Sequence, residues 1–125
     1  MTQSSPRGAL DLSPNALTVL EKRYLVKDDA GKPVESSEDL FWRVARTIAG
    51  ADKKYGASSG AIEELATAFY GSMAHREFMP NSPTLMNAGR PLGQLSACFV
   101  LPVDDALSNG RSGIYDTLRS RALVH

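Results

Sequence analysis

The residues best suited to chemistry lie close together in the segment from Phe78 to Val103. This segment contains the single cysteine of the chain, Cys98, and the hydroxyl side chains of Ser82 and Thr84. A thiol can take part in redox chemistry, and the two hydroxyls can make polar contacts to a ligand. Disulfide chemistry needs a second thiol, so a redox partner of Cys98 would have to lie outside this chain.

Cys98 has a second interpretation, as a small hydrophobic residue packed in the protein interior. The sequence QLSACFVL, residues 94–101, is rich in strand formers and is followed by Pro102, which predicts a short buried strand. The alternation of a strand would place Ser96 and Cys98 on the same face. Free cysteine is among the most buried residue types, so residue type alone favours the packing role.

The composition is that of a soluble globular chain and excludes several classes of function. The 125 residues are 42% hydrophobic and 22% charged, enough for one domain with a modest core. The 14 basic and 14 acidic residues cancel, so no charge signal favours nucleic acid or an anionic membrane as partner.

The apolar runs are far shorter than a membrane span, and the first residues lack the apolar stretch of a secretory signal. We therefore expect a cytoplasmic protein. A single cysteine also excludes an intrachain disulfide and a multi-cysteine metal site.

Apolar residues at helical spacing predict two amphipathic helices in the first half of the chain. The first spans about 14–25 and begins with Ser13 as N-cap, followed by a proline at the first helical position. The second spans about 37–54, where Ser36 with Asp39 three residues later resembles a capping box. Both helices are expected to serve packing.

Three further segments surround these helices. Residues 1–12 are rich in Ser, Pro and Gly and predict a loose arm. A third helix is expected to start at a cap formed by Ser58 or Ser59 and to run to about Ala74, and a last helix is expected from about 113 onward.

Two features of these elements allow more than one interpretation. Arg43 and Arg46 lie off the apolar stripe of the second helix, where they can pair with acids or phosphates. A solvated face is the favoured interpretation, because exposed charges seldom carry function. Ser82 precedes Pro83, which favours extended backbone at the serine, and the segment 87–93 is expected to be tight and irregular.

Two motifs give the sequence a resemblance to a known family. MPNSPTLMNAG followed by QLSACFVLPV resembles the N-terminal part of the ribonucleotide reductase catalytic subunit. The run LSPNALTVLEKRYLVKDDAGKPVESSEDLFWRVARTIA is most similar to the adenosylcobalamin-dependent, or class II, members. The resemblance covers Leu12 to His125, and the sequence has no room for the N-terminal ATP-binding cone that is common in class I relatives.

The resemblance implies a mainly α fold. Residues 13–93 would form the helical N-terminal domain with a substrate-side loop, preceded by the arm at 1–12. Residues 94–125 would contribute the first strand and the first helix of the catalytic α/β barrel.

The resemblance also implies a reaction, the radical-based reduction of ribonucleotides that supplies deoxyribonucleotides for DNA replication. Cys98 matches one of two redox thiols that deliver electrons to the ribose. Ser82 matches a substrate-contacting hydroxyl. Ala97 and Cys98 would also border the bound nucleotide, and Ala97 could contact it only through its backbone. No metal ligand is implied in this segment.

The same resemblance places the rest of the machinery beyond this segment. The second redox cysteine, the radical-bearing cysteine and the adenosylcobalamin site would lie after His125, so the isolated chain is expected to be inactive. The implied partners are the ribonucleotide substrate, the remainder of the reductase chain or a split subunit, and a thiol reductant such as thioredoxin. Nucleic acid and membrane are not expected as partners. Two alternatives are a non-catalytic helical binding or assembly module of the same ancestry and a stand-alone thiol protein.

Overall fold

The computed structural model describes residues 10–124, and within them the regular secondary structure is helical. The elements are α1 (Pro14–Arg23), α2 (Ser37–Ala49), a 3₁₀ helix (Gly50–Tyr55), α3 (Ser59–Ala74), α4 (Ser82–Asn87) and α5 (Ile114–Val124). Of the arm predicted over 1–12, the first nine residues lie outside the described part of the chain. The described residues divide into two compact units, 10–95 and 96–124. None of the described helices is long and apolar enough to cross a bilayer.

The long helices begin where the sequence predicts them to begin. The Ser13 hydroxyl accepts a hydrogen bond from the N–H of Ala16 at 3.2 Å, which satisfies one of the donors at the start of α1. Ser36 and Asp39 form the predicted capping box at the start of α2. The second helix ends earlier than predicted, because α2 tightens into the 3₁₀ helix, which closes at Gly56 with a φ of 86°.

The core of the first unit is built on α2. Its residues Leu40 and Phe41 have exposed fractions of 0% and 1%, and they pack with residues from α3 and α4. Beside this core, the rings of Trp42 and Tyr70 stack with centroids 4.2 Å apart, and the Arg46 guanidinium lies 4.8 Å from the Trp42 centroid. Burial of apolar side chains between α2 and α3 is therefore the main source of stability in this unit.

The extended backbone predicted at Ser82 is wrong, because a short helix begins at that residue. The extended conformation occurs one position earlier, at Asn81, which has φ and ψ of −64° and 161° and acts as N-cap of α4. Its side-chain oxygen accepts a hydrogen bond from the N–H of Thr84 at 3.3 Å. Pro83 is tolerated in the first turn because the N–H it lacks has no partner within the helix there.

The strand predicted over 94–101 also differs from the structure, in which these residues have no regular secondary structure. A strand forms only when its backbone groups pair with a neighbour. Among the described residues, β pairing is limited to one isolated bridge between Lys27 and Pro33. Two of its large apolar side chains are exposed, with exposed fractions of 45% for Phe99 and 98% for Val100, whereas Leu95 is partly buried against the core.

The solvated face favoured for Arg43 is wrong, because its side chain is only 15% exposed and forms an ion pair with Glu35. Two of its guanidinium nitrogens, Nε and Nη2, donate to the two carboxylate oxygens of Glu35 at 3.0 and 2.8 Å. Nη1 and Nη2 also donate to the carbonyl oxygens of Ala88 and Leu85, at 2.5 and 3.3 Å. Glu35 in turn accepts the N–H of Val26 at 2.9 Å. One ion pair thus joins α2, the connector that precedes it and the end of α4.

The turn after α4 packs so closely on this arginine that it requires glycine. Gly89 has a φ of 72°, and a Cβ placed on it would lie 2.8 Å from Thr47 Oγ1 and 3.1 Å from Arg43 Cγ. Both the left-handed backbone and the lack of space exclude a larger residue.

Replacing Arg43 with methionine is expected to lower the free energy of unfolding by about 3 kcal/mol, because the mostly buried Glu35 carboxylate would lose its partner. Arg46→Met is the matched control, because the Arg46 and Glu63 side chains are 55% and 57% exposed. We expect the control to lose about 1 kcal/mol or less. Urea denaturation followed by circular dichroism measures both variants, and equal losses would contradict the structural role of Arg43.

Candidate functional site

Ser82 occupies the first position of α4, and its side chain is exposed. Its Oγ lies 2.8 Å from the Tyr24 hydroxyl oxygen at the end of α1. Leu17, Leu20 and Tyr24 recur at helical spacing in the sequence, and the ring of Tyr24 packs against the core cluster. The polar contact of its hydroxyl is a tertiary feature that helical spacing does not reveal.

Polar side chains of α4 hold the chain that leads toward Cys98. Asn87 Nδ2 donates to the carbonyl oxygen of Gln94 at 2.8 Å. Thr84 Oγ1 lies 2.9 Å from the carbonyl oxygen of Leu95 and 2.6 Å from Asn81 Oδ1. Because a hydroxyl has one proton, Thr84 donates to only one of these two acceptors at a time. Asn87 therefore fixes this segment through a hydrogen bond that does not compete with a second acceptor. The sequence pattern does not indicate this role.

Ala97 and Cys98 belong to the second unit, where both line one open, mainly apolar cavity of about 750 Å³. The thiol of Cys98 is exposed, so the packing role favoured from its residue type is wrong within the described residues. The cavity lies between the segment 97–103 and α5, and Arg121 is the charged residue in its lining.

The loop before α5 is organised by side chains that accept backbone N–H groups. Asn109 Oδ1 accepts from Arg111, Ser112 and Gly113 at 3.0, 2.9 and 3.1 Å. Asp116, in the first turn of α5, accepts from the N–H groups of Asn109 and Gly110 at 2.9 and 3.0 Å.

Hydrogen bonding lowers the pKa of two carboxyl groups in this loop. The N–H of Asn109 and then the hydroxyl of Ser108 hold the pKa of Asp116 below its ordinary value. The Ser112 hydroxyl and then the Asn109 side chain lower the pKa of Asp104 in the same way. In the described residues, 10–124, no group of three or more His, Cys, Asp or Glu side chains is arranged to hold a metal ion.

The predicted site residues therefore fall in both units. Ala97 and Cys98 share a cavity in the second unit, and Ser82 presents an exposed hydroxyl in the first. The grouping of all three around one nucleotide remains a prediction from the resemblance.

Comparison with known families identifies the class of protein that this helical unit represents. Residues 10–93 match the family described as "Ribonucleotide reductase, all-alpha domain", which accounts for α1 to α4. The chain belongs to the ribonucleotide reductase family.

The similar proteins include cobalamin-dependent and other members of that family. A vitamin B12-dependent ribonucleoside-diphosphate reductase of Mycobacterium tuberculosis is 46% identical over 103 residues, which cover 82% of this chain and 15% of that protein. The protein of the same name from Thermoplasma acidophilum is 34% identical, over 93% of this chain and 22% of its own length. A ribonucleoside-diphosphate reductase large chain of Schizosaccharomyces pombe is 40% identical, over 84% of this chain and 11% of its own. The chain thus spans a minor part of each relative.

Replacing Asn87 with aspartate is expected to release the backbone at Gln94, because the substitution exchanges a donor for an acceptor that repels the carbonyl oxygen. Loss of this bond should speed hydrogen exchange of a peptide covering residues 90–96 by about fivefold or more. Asn15→Asp on α1 introduces the same charge at an exposed position and is the matched control. Hydrogen exchange with mass spectrometry measures both, and unchanged exchange in Asn87→Asp would refute the role of this bond.

The loop before α5 is expected to loosen in acid. Because the pKa of Asp116 lies below the ordinary value of 3.8, its carboxylate stabilises the folded loop fully above that value. This stabilisation is lost as the pH falls below 3.8 through the lowered pKa. An NMR titration of the Asn109 and Gly110 amide protons should follow this transition.

The same titration in two variants distinguishes the protonation of Asp116 from that of neighbouring carboxyl groups. The transition should disappear in Asp116→Asn and persist in Asp105→Asn, which changes a neighbouring carboxyl group of the same region. A transition that survives in Asp116→Asn would show that another group controls the loop.

Proposed function

We propose that this chain is the N-terminal part of the catalytic subunit of an adenosylcobalamin-dependent ribonucleotide reductase. The observation that carries the proposal is the 46% identity to the vitamin B12-dependent reductase of Mycobacterium tuberculosis. Because the relatives are named for ribonucleoside diphosphates, these are the favoured substrates, with triphosphates as the alternative. The location consistent with this activity is the cytoplasm.

In this proposal Cys98 supplies one of the two thiols that reduce the substrate. Two thiols become a disulfide and give up two electrons and two protons, and the ribonucleotide loses one hydroxyl oxygen as water. The second thiol comes from the rest of the reductase, since this chain has one cysteine. The exposed position of Cys98 supports the role, because thiol–disulfide exchange requires an accessible sulfur. A thiol reductant such as thioredoxin would regenerate the pair.

Ser82 and Ala97 supply the substrate-binding contacts in this segment. The Ser82 hydroxyl is exposed at the start of α4, where it can make a hydrogen bond to a ligand. Ala97 has no polar side-chain atom, so its contribution is its backbone. Thr84 and Asn87 contact the backbone carbonyl oxygens of Leu95 and Gln94. The serine is therefore left as the exposed hydroxyl of the motif.

We further propose that residues 94–101 form the first barrel strand, and residues 114–124 the first barrel helix, when the rest of the reductase supplies a pairing strand. The exposed Phe99 and Val100 side chains support this, because strand pairing inside a barrel would remove them from water. The helical domain would then be 13–93 and the start of the barrel 94–125.

By the resemblance, we assign the cobalamin site to the rest of the reductase, where the cofactor would supply the radical. The cavity beside Cys98, of about 750 Å³, is of a size that suits a smaller ligand.

The proposal is tested on the complete reading frame that contains this segment. The purified product is incubated anaerobically with adenosylcobalamin, a dithiol and CDP, and deoxycytidine diphosphate is measured. We expect cobalamin-dependent product formation, a loss of about 10³-fold or more in Cys98→Ser, and none from residues 1–125 alone.

Three results would count against the proposal. Turnover that survives in Cys98→Ser would remove the redox role of this thiol. Product formed by residues 1–125 alone would show that the second thiol is not needed. A reading frame without a second cysteine and a barrel would favour the non-catalytic helical module.

A further inference from the structure

Tyr24 places a hydroxyl group rigidly at the start of α4. It ends α1, where its backbone N–H donates to the carbonyl oxygen of Leu20 at 2.9 Å, and its ring packs against the core cluster. Its hydroxyl oxygen lies 2.8 Å from Ser82 Oγ, across 58 positions of sequence. The position of this phenol is thus set by the core of the first unit.

The backbone of Ser82 is equally well fixed, but its side chain is not held by packing. Asn81 caps α4, so the first helical residue has a defined backbone. The serine side chain is exposed and has three staggered rotamers and a rotating proton. The contact with Tyr24 selects the rotamer that brings Oγ toward the phenol, so one hydrogen bond orients an otherwise mobile group.

The direction of this hydrogen bond determines what Ser82 can offer a ligand. A serine hydroxyl has one proton, and the oxygens of a phosphate act at neutral pH mainly as hydrogen-bond acceptors. If Ser82 donated to Tyr24, it would have no proton left for such an acceptor. If Tyr24 donates, Ser82 keeps its proton for the ligand, and the two bonds in sequence strengthen each other.

We propose that Tyr24 is a positioning residue for substrate binding, which donates to Ser82 Oγ so that the serine proton points to an acceptor oxygen of the ribonucleotide. This role rests on the proposed function of Ser82 as a substrate-contacting hydroxyl. A phenol suits it, because a phenol is a stronger acid than an aliphatic alcohol and therefore the better donor of the two. Phenylalanine at position 24 would keep the ring packing and remove only this bond.

The test uses the complete reductase that contains this segment, purified without cobalamin, and measures the dissociation constant of CDP by titration calorimetry. The variants are Tyr24→Phe, Ser82→Ala and the double variant. We expect Ser82→Ala to weaken CDP binding about tenfold and Tyr24→Phe about three- to fivefold, the range of one or two hydrogen bonds. The double variant should bind like Ser82→Ala, because Tyr24 acts only through the serine.

Two controls separate positioning from general stability. Tyr55→Phe removes a hydroxyl from a tyrosine that is 87% exposed, and it should leave CDP binding unchanged. In the enzyme loaded with cobalamin, Tyr24→Phe should raise KM for CDP by the same factor as the dissociation constant and leave kcat unchanged. Melting temperatures are measured for every variant.

The outcomes distinguish the two proposals. If Ser82→Ala leaves CDP binding unchanged, the assignment of Ser82 is overturned, and the role of Tyr24 with it. If Ser82→Ala weakens binding but Tyr24→Phe does not, only the positioning role fails. If the two losses multiply in the double variant, Tyr24 acts independently of Ser82 and the inference is also overturned, even where Tyr24→Phe destabilises the fold.

Discussion

The geometry of the first unit depends on one mostly buried ion pair, between Arg43 and Glu35. The guanidinium satisfies both carboxylate oxygens and two backbone carbonyls at the end of α4, a fork that a lysine ammonium cannot reproduce. A buried pair of this kind contributes little net stability compared with apolar packing, but it is costly to break. Its main effect is therefore one of specificity, because it fixes where α4 ends relative to α2. Gly89 extends the same constraint into the following turn.

With its C-terminal end fixed in this way, α4 performs two different tasks at its two ends. The N-terminal end presents Ser82, whose backbone is set by the Asn81 cap and whose hydroxyl meets Tyr24. Near the C-terminal end, Asn87 holds the carbonyl oxygen of Gln94. Leu85, between them, is buried in the core. The residue types of the NSPTLMN motif therefore follow largely from backbone geometry, and this explains why a six-residue helix needs so many polar side chains.

The sequence predicted the features that are encoded locally and missed those that depend on distant partners. Helices α1 to α3 follow from apolar spacing and from caps within four residues of each start. The solvated face predicted for Arg43 is wrong because helical spacing shows that a residue lies off the apolar stripe, but not that Glu35 and α4 cover that position. At Ser82, the restriction imposed by Pro83 was overridden by the cap one position earlier. The strand over 94–101 has the right residue types, but pairing is a tertiary event that local pattern cannot supply.

If residues 94–101 form the proposed barrel strand, the placement of Cys98 depends on the pairing of that strand. In a strand, Ser96 and Cys98 share one face, and Ala97 and Phe99 share the other. Pairing inside a barrel would therefore bury the Phe99 face and place the thiol on the opposite face. Rotation of the Cys98 side chain would then be the main motion left to the thiol. The apolar area removed from water provides the driving force, at about 25 cal/mol per Å². In the proposed barrel strand, the pairing that removes Phe99 from water would thus give the thiol a fixed direction. In the proposed reductase, Cys98 would therefore gain its position only when the barrel is assembled.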